Sequence, residues 1–228
     1  MKATIAIIAI AVIVFVLQSL APQIDYREHF PQLLKGVDKP IEFDIVTLNF
    51  ALIPADAFAG SYWQFVTYMF LHGGAVHLFL NMFVLFIFGV VVEKTFGLKK
   101  YLSLYFLAGI GSGFFFILLS YILTPQAALT DMIFPMLGAS GAVYGVMAAY
   151  GILYPKNWIM VIGFPMPAWI AVIALVVVEF VFGVTGLQSG VANFGHLGGL
   201  IVGGLFTLYF KYVKKEKAEP QQVTWQYM

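Results

Sequence analysis

Hydrophobic and polar positions along this chain separate into long apolar runs joined by shorter polar segments. Six runs approach the roughly 20 residues that a helix needs to cross a bilayer; they lie at about 3–20, 76–92, 101–123, 136–154, 168–182 and 194–210. The fifth is short because Pro165 and Pro167 precede it, although Trp158 to Gly163 could lengthen it. The pattern predicts an all-α membrane protein, a bundle of six transmembrane helices that forms a single domain over residues 1–228.

The segment at about 21–75 is the only substantial stretch outside these runs. Its second half is rich in aromatic residues, namely Phe58, Tyr62, Trp63, Phe65, Tyr68 and Phe70. Trp and Tyr favour the headgroup region of a bilayer. We therefore expect an interfacial first loop on the outer side of the membrane.

The first run follows Lys2 and so also resembles a secretory signal peptide, with Ser19 and Ala21 at cleavage-site spacing. However, the run is longer than most signal cores, and Pro22 directly follows the potential cut. These features favour a retained helix, and whether the run is ever cleaved stays open.

Composition places the chain in lipid rather than in water. Hydrophobic residues make up 61% of the sequence and charged residues 10%, and the mean hydropathy is +0.92. A soluble domain is nearer half apolar and about a quarter charged, so a water-soluble core is excluded. The absence of cysteine excludes disulfides and thiol chemistry, and the net charge of +1 gives no basis for a nucleic-acid partner.

Basic residues predict the orientation, because cytoplasmic loops carry an excess of Lys and Arg. Nine of the 12 Lys and Arg fall on one side of the six runs: Lys2, Lys94, Lys99, Lys100, Lys156, Lys211, Lys214, Lys215 and Lys217. The other three, Arg27, Lys35 and Lys39, lie in the first loop. We expect both termini to be cytoplasmic, with a short charged tail at 211–228, in a multi-pass protein of a prokaryotic plasma membrane.

A few strongly polar side chains interrupt the apolar runs, where each costs a few kcal/mol to insert. They are His77, Asn81, Ser140, Glu179, Asn193 and His196. Depth can be counted at about 1.5 Å per residue from the lysine that ends each even-numbered run. The depths are roughly 26 Å for His77, 20 Å for Asn81, 24 Å for Ser140 and 23 Å for His196. Three helices therefore bring a nucleophile, a base and two hydrogen-bond donors to one level.

Small residues indicate which helices touch. Two pairs with small-xxx-small spacing allow close backbone approach, namely Gly141 with Gly145 and Gly199 with Gly203. Each pair starts within one turn of a polar residue, Ser140 on the fourth run and His196 on the sixth. Contact there would put the two side chains within hydrogen-bond reach, as activation of a serine demands.

Pro135 and Gly138 indicate that the fourth helix begins just before Ser140, so that first-turn N–H groups lack intrahelical partners. Such groups can stabilise an oxyanion, and His77 and Asn81 could donate to the same site. Tyr144, four residues after Ser140, lies on the same helix face, where its ring could support the His196 imidazole.

Four further expectations concern the surroundings of the site. No aspartate lies near enough in depth to orient His196, so the pattern predicts a catalytic dyad. Asn193 is expected to cap the sixth helix, and His72 to be structural rather than catalytic. We interpret Glu179 as a protonated or snorkelling residue near the substrate entrance.

At these residues the sequence resembles the rhomboid intramembrane serine proteases, over about residues 58–210. The matching stretches are Phe70-Leu71-His72-Gly73-Gly74 through His77 to Asn81-Met82; Gly89, Glu93 and Gly97; Gly138-Ala139-Ser140-Gly141 and Tyr144; and Asn193-Phe194-Gly195-His196-Leu197-Gly198-Gly199. The family pattern often has Arg after the loop Trp, and here that residue is Gln64, which puts a loop contact in doubt.

The resemblance implies a six-helix rhomboid-like bundle and a serine endopeptidase that needs no cofactor and no metal. It implies Ser140 as the nucleophile, His196 as its base, and an oxyanion hole made by His77, Asn81 and the Ser140 N–H. Its substrates would be single-span or polytopic membrane proteins, cut near the outer boundary of the bilayer.

Other interpretations stand beside this one. Ser140 alone could be a helix-packing hydroxyl, and His77 and His196 could be buried structural histidines. An inactive relative that binds transmembrane clients is the alternative within the same fold. A transporter would show inverted repeats or charged midplane sites. A zinc protease would contain the motif His-Glu-x-x-His, and an aspartyl intramembrane protease would need two membrane-embedded aspartates. The sequence contains none of these patterns.

Overall fold

The computed structural model describes residues 1–161, 163–187 and 191–214, and most of them are helical. The longer helices are α1 (Lys2–Leu20), α5 (Ala75–Val84), α6 (Val90–Leu123), α8 (Ser140–Leu153), α9 (Ala168–Thr185) and α10 (Asn193–Leu208). The shorter ones are α2 (Ile45–Phe50), α3 (Pro54–Phe58), α4 (Gln64–Thr67) and α7 (Pro125–Ile133), with 3₁₀ turns at Tyr26–Glu28 and Tyr68–Phe70. A π-helical turn at Leu85–Gly89 joins α5 to α6, and another at Tyr209–Val213 extends α10.

The all-α prediction omitted two short antiparallel pairs of strands. The strands are β1 (Gln23–Asp25) with β2 (Glu42–Asp44), and β3 (Trp158–Val161) with β4 (Phe164–Pro167). The expectation that Trp158 to Gly163 could lengthen the fifth run is therefore wrong, since this stretch enters β3. Pro165 and Pro167 explain the outcome, because proline lacks the N–H that a helix interior needs but is tolerated on a strand at a sheet edge.

Four helical segments are long and apolar enough to cross a membrane within the described part of the chain: Lys2–Leu20, Ala75–Leu123, Ala168–Thr185 and Asn193–Val213. The second of these is a 49-residue run, and it contains a break at Gly97, where φ is 73°. This break falls between the second and third predicted spans. The count of six crossings stays a prediction.

The fourth predicted span, placed at about 136–154, is shorter than expected. Its helix, α8, begins at Ser140 and has 14 residues, so it is about 21 Å long. Met136 lies outside it, in a bridge where its N–H and carbonyl both bond to Leu52 at 2.9 Å. Gly138, with φ of 129°, then turns the chain into α8. The expectation that the helix starts just before the serine is confirmed.

α10 packs against both α6 and α8, and glycines lie at its contact with α8. A Cβ on Gly199 would lie 2.0 Å from the carbonyl oxygen of Gly141, and one on Gly203 would lie 2.5 Å from that of Gly145. Both distances are far below any allowed contact. The predicted meeting of the fourth and sixth helices through these glycines is therefore confirmed.

The aromatic half of the first loop is partly buried against the helices. Phe65 stacks on Phe114 of α6, with ring centroids 4.5 Å apart, and the Tyr68 hydroxyl donates to the Gly109 carbonyl at 2.7 Å. The exposed members are Phe58, Tyr62 and Trp63. The loop is thus anchored at one side, while its place in the membrane interface stays a prediction.

Gln64, which departs from the family pattern, forms a contact within this loop. Its side chain is buried, and its Oε1 accepts a hydrogen bond from the Ile53 N–H at 3.1 Å. A neutral amide therefore makes a hydrogen bond within the loop at this position.

Lysines lie at the C-terminal ends of α8 and α10, whereas the serine and the histidine lie at the N-terminal ends. Lys156 follows α8, and the Lys211 ammonium donates to the Ile152 carbonyl at 2.6 Å. The two helices therefore end side by side. Lys215, Lys217 and the rest of the predicted tail from residue 215, together with residues 188–190 of the predicted outer loop, lie outside the described residues.

The contact of α8 with α10 predicts that Gly199→Ala destabilises the protein. A Cβ there meets backbone, which cannot swing aside, and overpacking of this kind costs about 1–3 kcal/mol. Thermal unfolding in detergent should show a midpoint lower by roughly 2–12 °C. Gly204→Ala is the matched control, because its nearest atom is Ile152 Cδ1 at 3.7 Å. Equal midpoints for the two variants would show that α8 and α10 do not approach this closely.

Candidate active site

Ser140 and His196 lie on different helices and meet in a hydrogen bond. Ser140 is the first residue of α8, and His196 lies in the first turn of α10. The serine Oγ is 2.8 Å from His196 Nε2. Because the glycine contact holds the two backbones together one turn deeper, the predicted meeting of these side chains is confirmed.

The turn before Ser140 requires glycine. Gly138 adopts a φ of 129°, a conformation that L side chains rarely take, and its N–H donates to the Tyr68 carbonyl at 3.0 Å. A Cβ at this position would lie 2.9 Å from Cε1 of His77 and 3.6 Å from the Ser140 Oγ. Gly138 therefore leaves the space in which the His77 ring approaches the serine.

His77 and Asn81 of α5 line the same cavity as the serine and histidine. This cavity has a volume of about 730 Å³, and its lining includes His77, Asn81, Ser140, Tyr144 and His196. The structure therefore brings the polar residues of three predicted spans to one cavity, while their common depth in the membrane stays a prediction.

The hydrogen bonds of α5 leave donors for this cavity. His77 Nδ1 accepts from the Gly73 N–H at 3.4 Å, so a neutral ring carries its proton on Nε2, the nitrogen next to Gly138. Asn81 Nδ2 donates to the His77 carbonyl at 2.9 Å, which uses one of its two N–H groups. One imidazole N–H and one amide N–H remain beside the serine.

Tyr144 supports the imidazole as predicted. Its ring stacks on that of His196, with centroids 4.5 Å apart and an interplanar angle of 7°. Its hydroxyl donates to Glu179 Oε1 at 2.6 Å. The ring face and the hydroxyl of one side chain therefore contact two members of the site.

Glu179 of α9 is 4% exposed, so the expectation that it snorkels is wrong. The alternative expectation, a protonated residue near the substrate entrance, stays a prediction. The prediction of a dyad considered aspartate alone, and a glutamate takes that place: Glu179 Oε2 lies 3.0 Å from His196 Nδ1. A prediction that considers only aspartate as the partner of the histidine misses this residue. The signal in the sequence is a carboxylate within an apolar run, since such a group needs a partner in lipid.

Asn193 does not cap the sixth helix, so that expectation is wrong. It is the first residue of α10, and Ala192 occupies the cap position without a side-chain bond. The Asn193 amide instead donates to the Val191 carbonyl at 3.2 Å. It fixes the backbone that leads into the helix carrying His196.

His72 lies behind the cavity and does not line it. It is buried, neither ring nitrogen has a partner within the described residues, and its ring meets that of His77 edge-on at 5.2 Å. Burial, together with the nearby His77, lowers the pKa of His72 to about 4. This position agrees with a structural residue. Within the described chain, no cluster of His, Asp or Glu is placed to hold a metal ion.

Comparison with known proteins shows the family to which this chain belongs. A family model described as the Rhomboid domain matches residues 59–213, more than half of the chain. The chain belongs to the rhomboid family. Its apolar helices and this membership make it an integral membrane protein.

Curated rhomboid relatives align with about two thirds of this chain. The rhomboid protease AarA of Providencia stuartii is 33% identical over 66% of the chain, and the rhomboid protease GluP of Bacillus subtilis is 32% identical over 64%. The mitochondrial Rhomboid protein 1 of Saccharomyces cerevisiae is 32% identical over 65%. The chain spans 57%, 25% and 42% of the lengths of AarA, GluP and the yeast protein.

The buried His72 predicts a loss of stability in mild acid. In the unfolded chain a histidine titrates near pH 6.5, whereas burial lowers the pKa of His72 in the folded protein to about 4. Between these values the unfolded state binds more protons, so stability falls as pH drops from about 6.5 to 4. Unfolding midpoints in detergent should show this slope, and His72→Gln should reduce it. An unchanged slope would mean that His72 is not the group responsible.

Proposed function

We propose that this rhomboid protein is an intramembrane serine endopeptidase, with Ser140 as the nucleophile and His196 as the general base. The observation that carries the proposal is the 2.8 Å contact between the Ser140 Oγ and His196 Nε2, on the wall of a cavity of about 730 Å³. A serine becomes a useful nucleophile when a base takes its proton as it attacks, and this contact supports that role.

The reaction follows from the positions of these two groups. The Ser140 oxygen attacks the carbonyl carbon of the scissile peptide bond, and its proton passes to His196 Nε2. The histidine then gives this proton to the leaving amine nitrogen, which breaks the bond and leaves an acyl-enzyme. Water then attacks the acyl carbon as its proton passes to the same nitrogen, and the histidine gives that proton to the departing Ser140 oxygen, which frees the carboxylic acid product and restores the serine.

Negative charge on the former carbonyl oxygen needs donors that are already in position. The Ser140 N–H belongs to the first turn of α8, where backbone donors lack an i−4 carbonyl. His77 Nε2 and the second N–H of Asn81 face the same cavity. We assign these three groups to the oxyanion hole.

We further propose six crossings with both termini in the cytoplasm. The break at Gly97 divides the 49-residue run into two crossings, with Lys94, Lys99 and Lys100 at the turn. The short α8, about 21 Å long, supplies another and leaves Ser140 below the outer surface of a hydrocarbon core about 30 Å thick. The cavity around Ser140 would then hold the water that hydrolysis requires.

The substrate would be a transmembrane segment of another membrane protein. The cavity wall on α5 is apolar apart from His77 and Asn81, and includes Val76, Leu80 and Val84, which suits an apolar chain entering from lipid. An intact helix hides its peptide bonds, so the segment must unwind near its outer end before Ser140 can reach a carbonyl.

The main rival is a client-binding protein without catalysis. AarA and GluP are called rhomboid proteases, whereas plant relatives are called RHOMBOID-like proteins. A client-binding role requires neither the contact of Ser140 with His196 nor donors around it. The presence of both favours the protease.

A fluorophosphonate probe should label Ser140 in the purified protein, because the neighbouring imidazole accepts the serine proton. Ser140→Ala and His196→Ala should each abolish cleavage of a single-span model substrate while the protein remains folded. A chelator should leave activity unchanged. Mass spectrometry of the labelled peptide and gel analysis of the fragments measure these outcomes. Cleavage retained in Ser140→Ala would contradict the proposed nucleophile.

Removal of an oxyanion donor should lower kcat rather than raise KM. Loss of one preorganised donor typically costs about 10²–10³ in rate, and His77→Ala and Asn81→Ala each remove one of three. The remaining donors can soften each single effect, so the double variant should be slower than either. If both single variants retain full kcat, these side chains are structural.

A further inference from the structure

We infer that Glu179 is a positioning residue that holds His196 in the tautomer required by Ser140, so that the site is a Ser-His-Glu chain rather than an isolated pair. This inference rests on the proposed protease function. Its basis is a continuous set of contacts across three helices, from the Ser140 Oγ on α8 to the imidazole on α10 and on to the carboxylate on α9.

The hydrogen bonds are consistent with one assignment of protons. Tyr144 donates its hydroxyl proton to Glu179 Oε1 at 2.6 Å, and Glu179 Oε2 lies 3.0 Å from His196 Nδ1. If Nδ1 carries the ring proton and donates it to Oε2, then Nε2 has a free lone pair. That lone pair faces the Ser140 Oγ at 2.8 Å, ready to accept the serine proton.

A neutral Glu179 would give the opposite result. A carboxylic acid that donates to Nδ1 forces the ring proton onto Nε2, and Nε2 would then donate to Ser140 instead of accepting from it. With Tyr144 donating to one oxygen, an ionised carboxylate has the other oxygen free to accept. The ionised form therefore matches the contacts and produces a competent base.

Charge supplies a second reason. Glu179 is 4% exposed and His196 9% exposed, so a resting carboxylate there depends on its hydrogen bonds with Tyr144 and with His196 Nδ1. When His196 accepts the serine proton it becomes a cation at a buried position, and the carboxylate 3.0 Å away then pairs with it. The proton moves from the Ser140 Oγ to Nε2 and then to the leaving amine, while Glu179 keeps its charge throughout.

A purely structural role, docking α9 against the bundle, is the competing explanation. α9 has other packing contacts with α10: a Cβ on Gly183 would lie 2.6 Å from Cε1 of Phe194, so the helices approach closely there without Glu179. Docking of α9 does not require a carboxylate oxygen 3.0 Å from His196 Nδ1, whereas orientation of the base does.

The test compares Glu179→Gln with Glu179→Asp, using Glu93→Gln as the matched control. Glu93 is as deeply buried, at 5% exposed, and accepts hydrogen bonds from Ala3 and Thr4 far from the histidine. For each folded variant, kcat and KM on a single-span substrate and the rate of Ser140 labelling by a fluorophosphonate are measured. Nitrogen-15 spectra of labelled histidine report the ring tautomer.

Glu179→Gln should lower kcat and the labelling rate together by about 10²-fold or more, the typical contribution of a positioned base, with KM within about threefold. Its Nδ1-protonated signal for His196 should diminish, since the Gln amide can donate to Nδ1. Glu179→Asp, which keeps the charge, should recover part of the rate. Glu93→Gln should lower the unfolding midpoint but leave kcat within about twofold.

Tyr144→Phe keeps the stacked ring and removes only the bond to Oε1, so it offers a second route if Glu179→Gln does not fold. It should lower the labelling rate by a smaller factor. If Ser140→Ala is inactive while Glu179→Gln matches the wild type in kcat, labelling and tautomer, the positioning role is overturned and the protease proposal stands. If Ser140→Ala still cleaves, the protease proposal itself fails.

Discussion

The crossing of α8 and α10 is close enough that the Gly199 backbone occupies the space that a side chain would fill, with Gly141 opposite it. The rest of the site depends on this approach. Ser140 and His196 each lie within one turn of the contact, so the distance between the two backbones sets the distance between the two side chains. Wider packing of larger residues would leave the same serine and histidine without a shared hydrogen bond.

Lipid makes each polar group at this site dependent on the others. An unpaired hydroxyl, imidazole or carboxylate in hydrocarbon is costly, and Ser140, His196 and Glu179 each have a partner on another helix. Tyr144 uses its ring for the imidazole and its hydroxyl for Glu179. The hydrogen bonds that make this arrangement tolerable in a membrane are also the ones on which the proposed base and nucleophile depend.

The short α8 connects the fold with the chemistry. Because α8 starts at Ser140, after the turn at Gly138, the serine lies at a helix N-terminus rather than in the middle of a span. Backbone donors and a cavity are found there together. A full-length fourth span would have surrounded the serine with satisfied backbone groups, leaving only the side chains of His77 and Asn81 to bind the proposed oxyanion.

The sequence by itself determined the apolar runs and indicated the glycine contact, and it predicts a common depth for Ser140, His196, His77 and Asn81, because each follows from spacing along one helix and a fixed rise per residue. Tertiary structure decided what no single helix encodes. Glu179 and His196 lie on different helices, and which residue the Glu179 carboxylate contacts depends on how α9 packs. The role expected of Asn193 failed for a related reason: the helix start shifted by one residue, and the amide turned to the Val191 carbonyl instead.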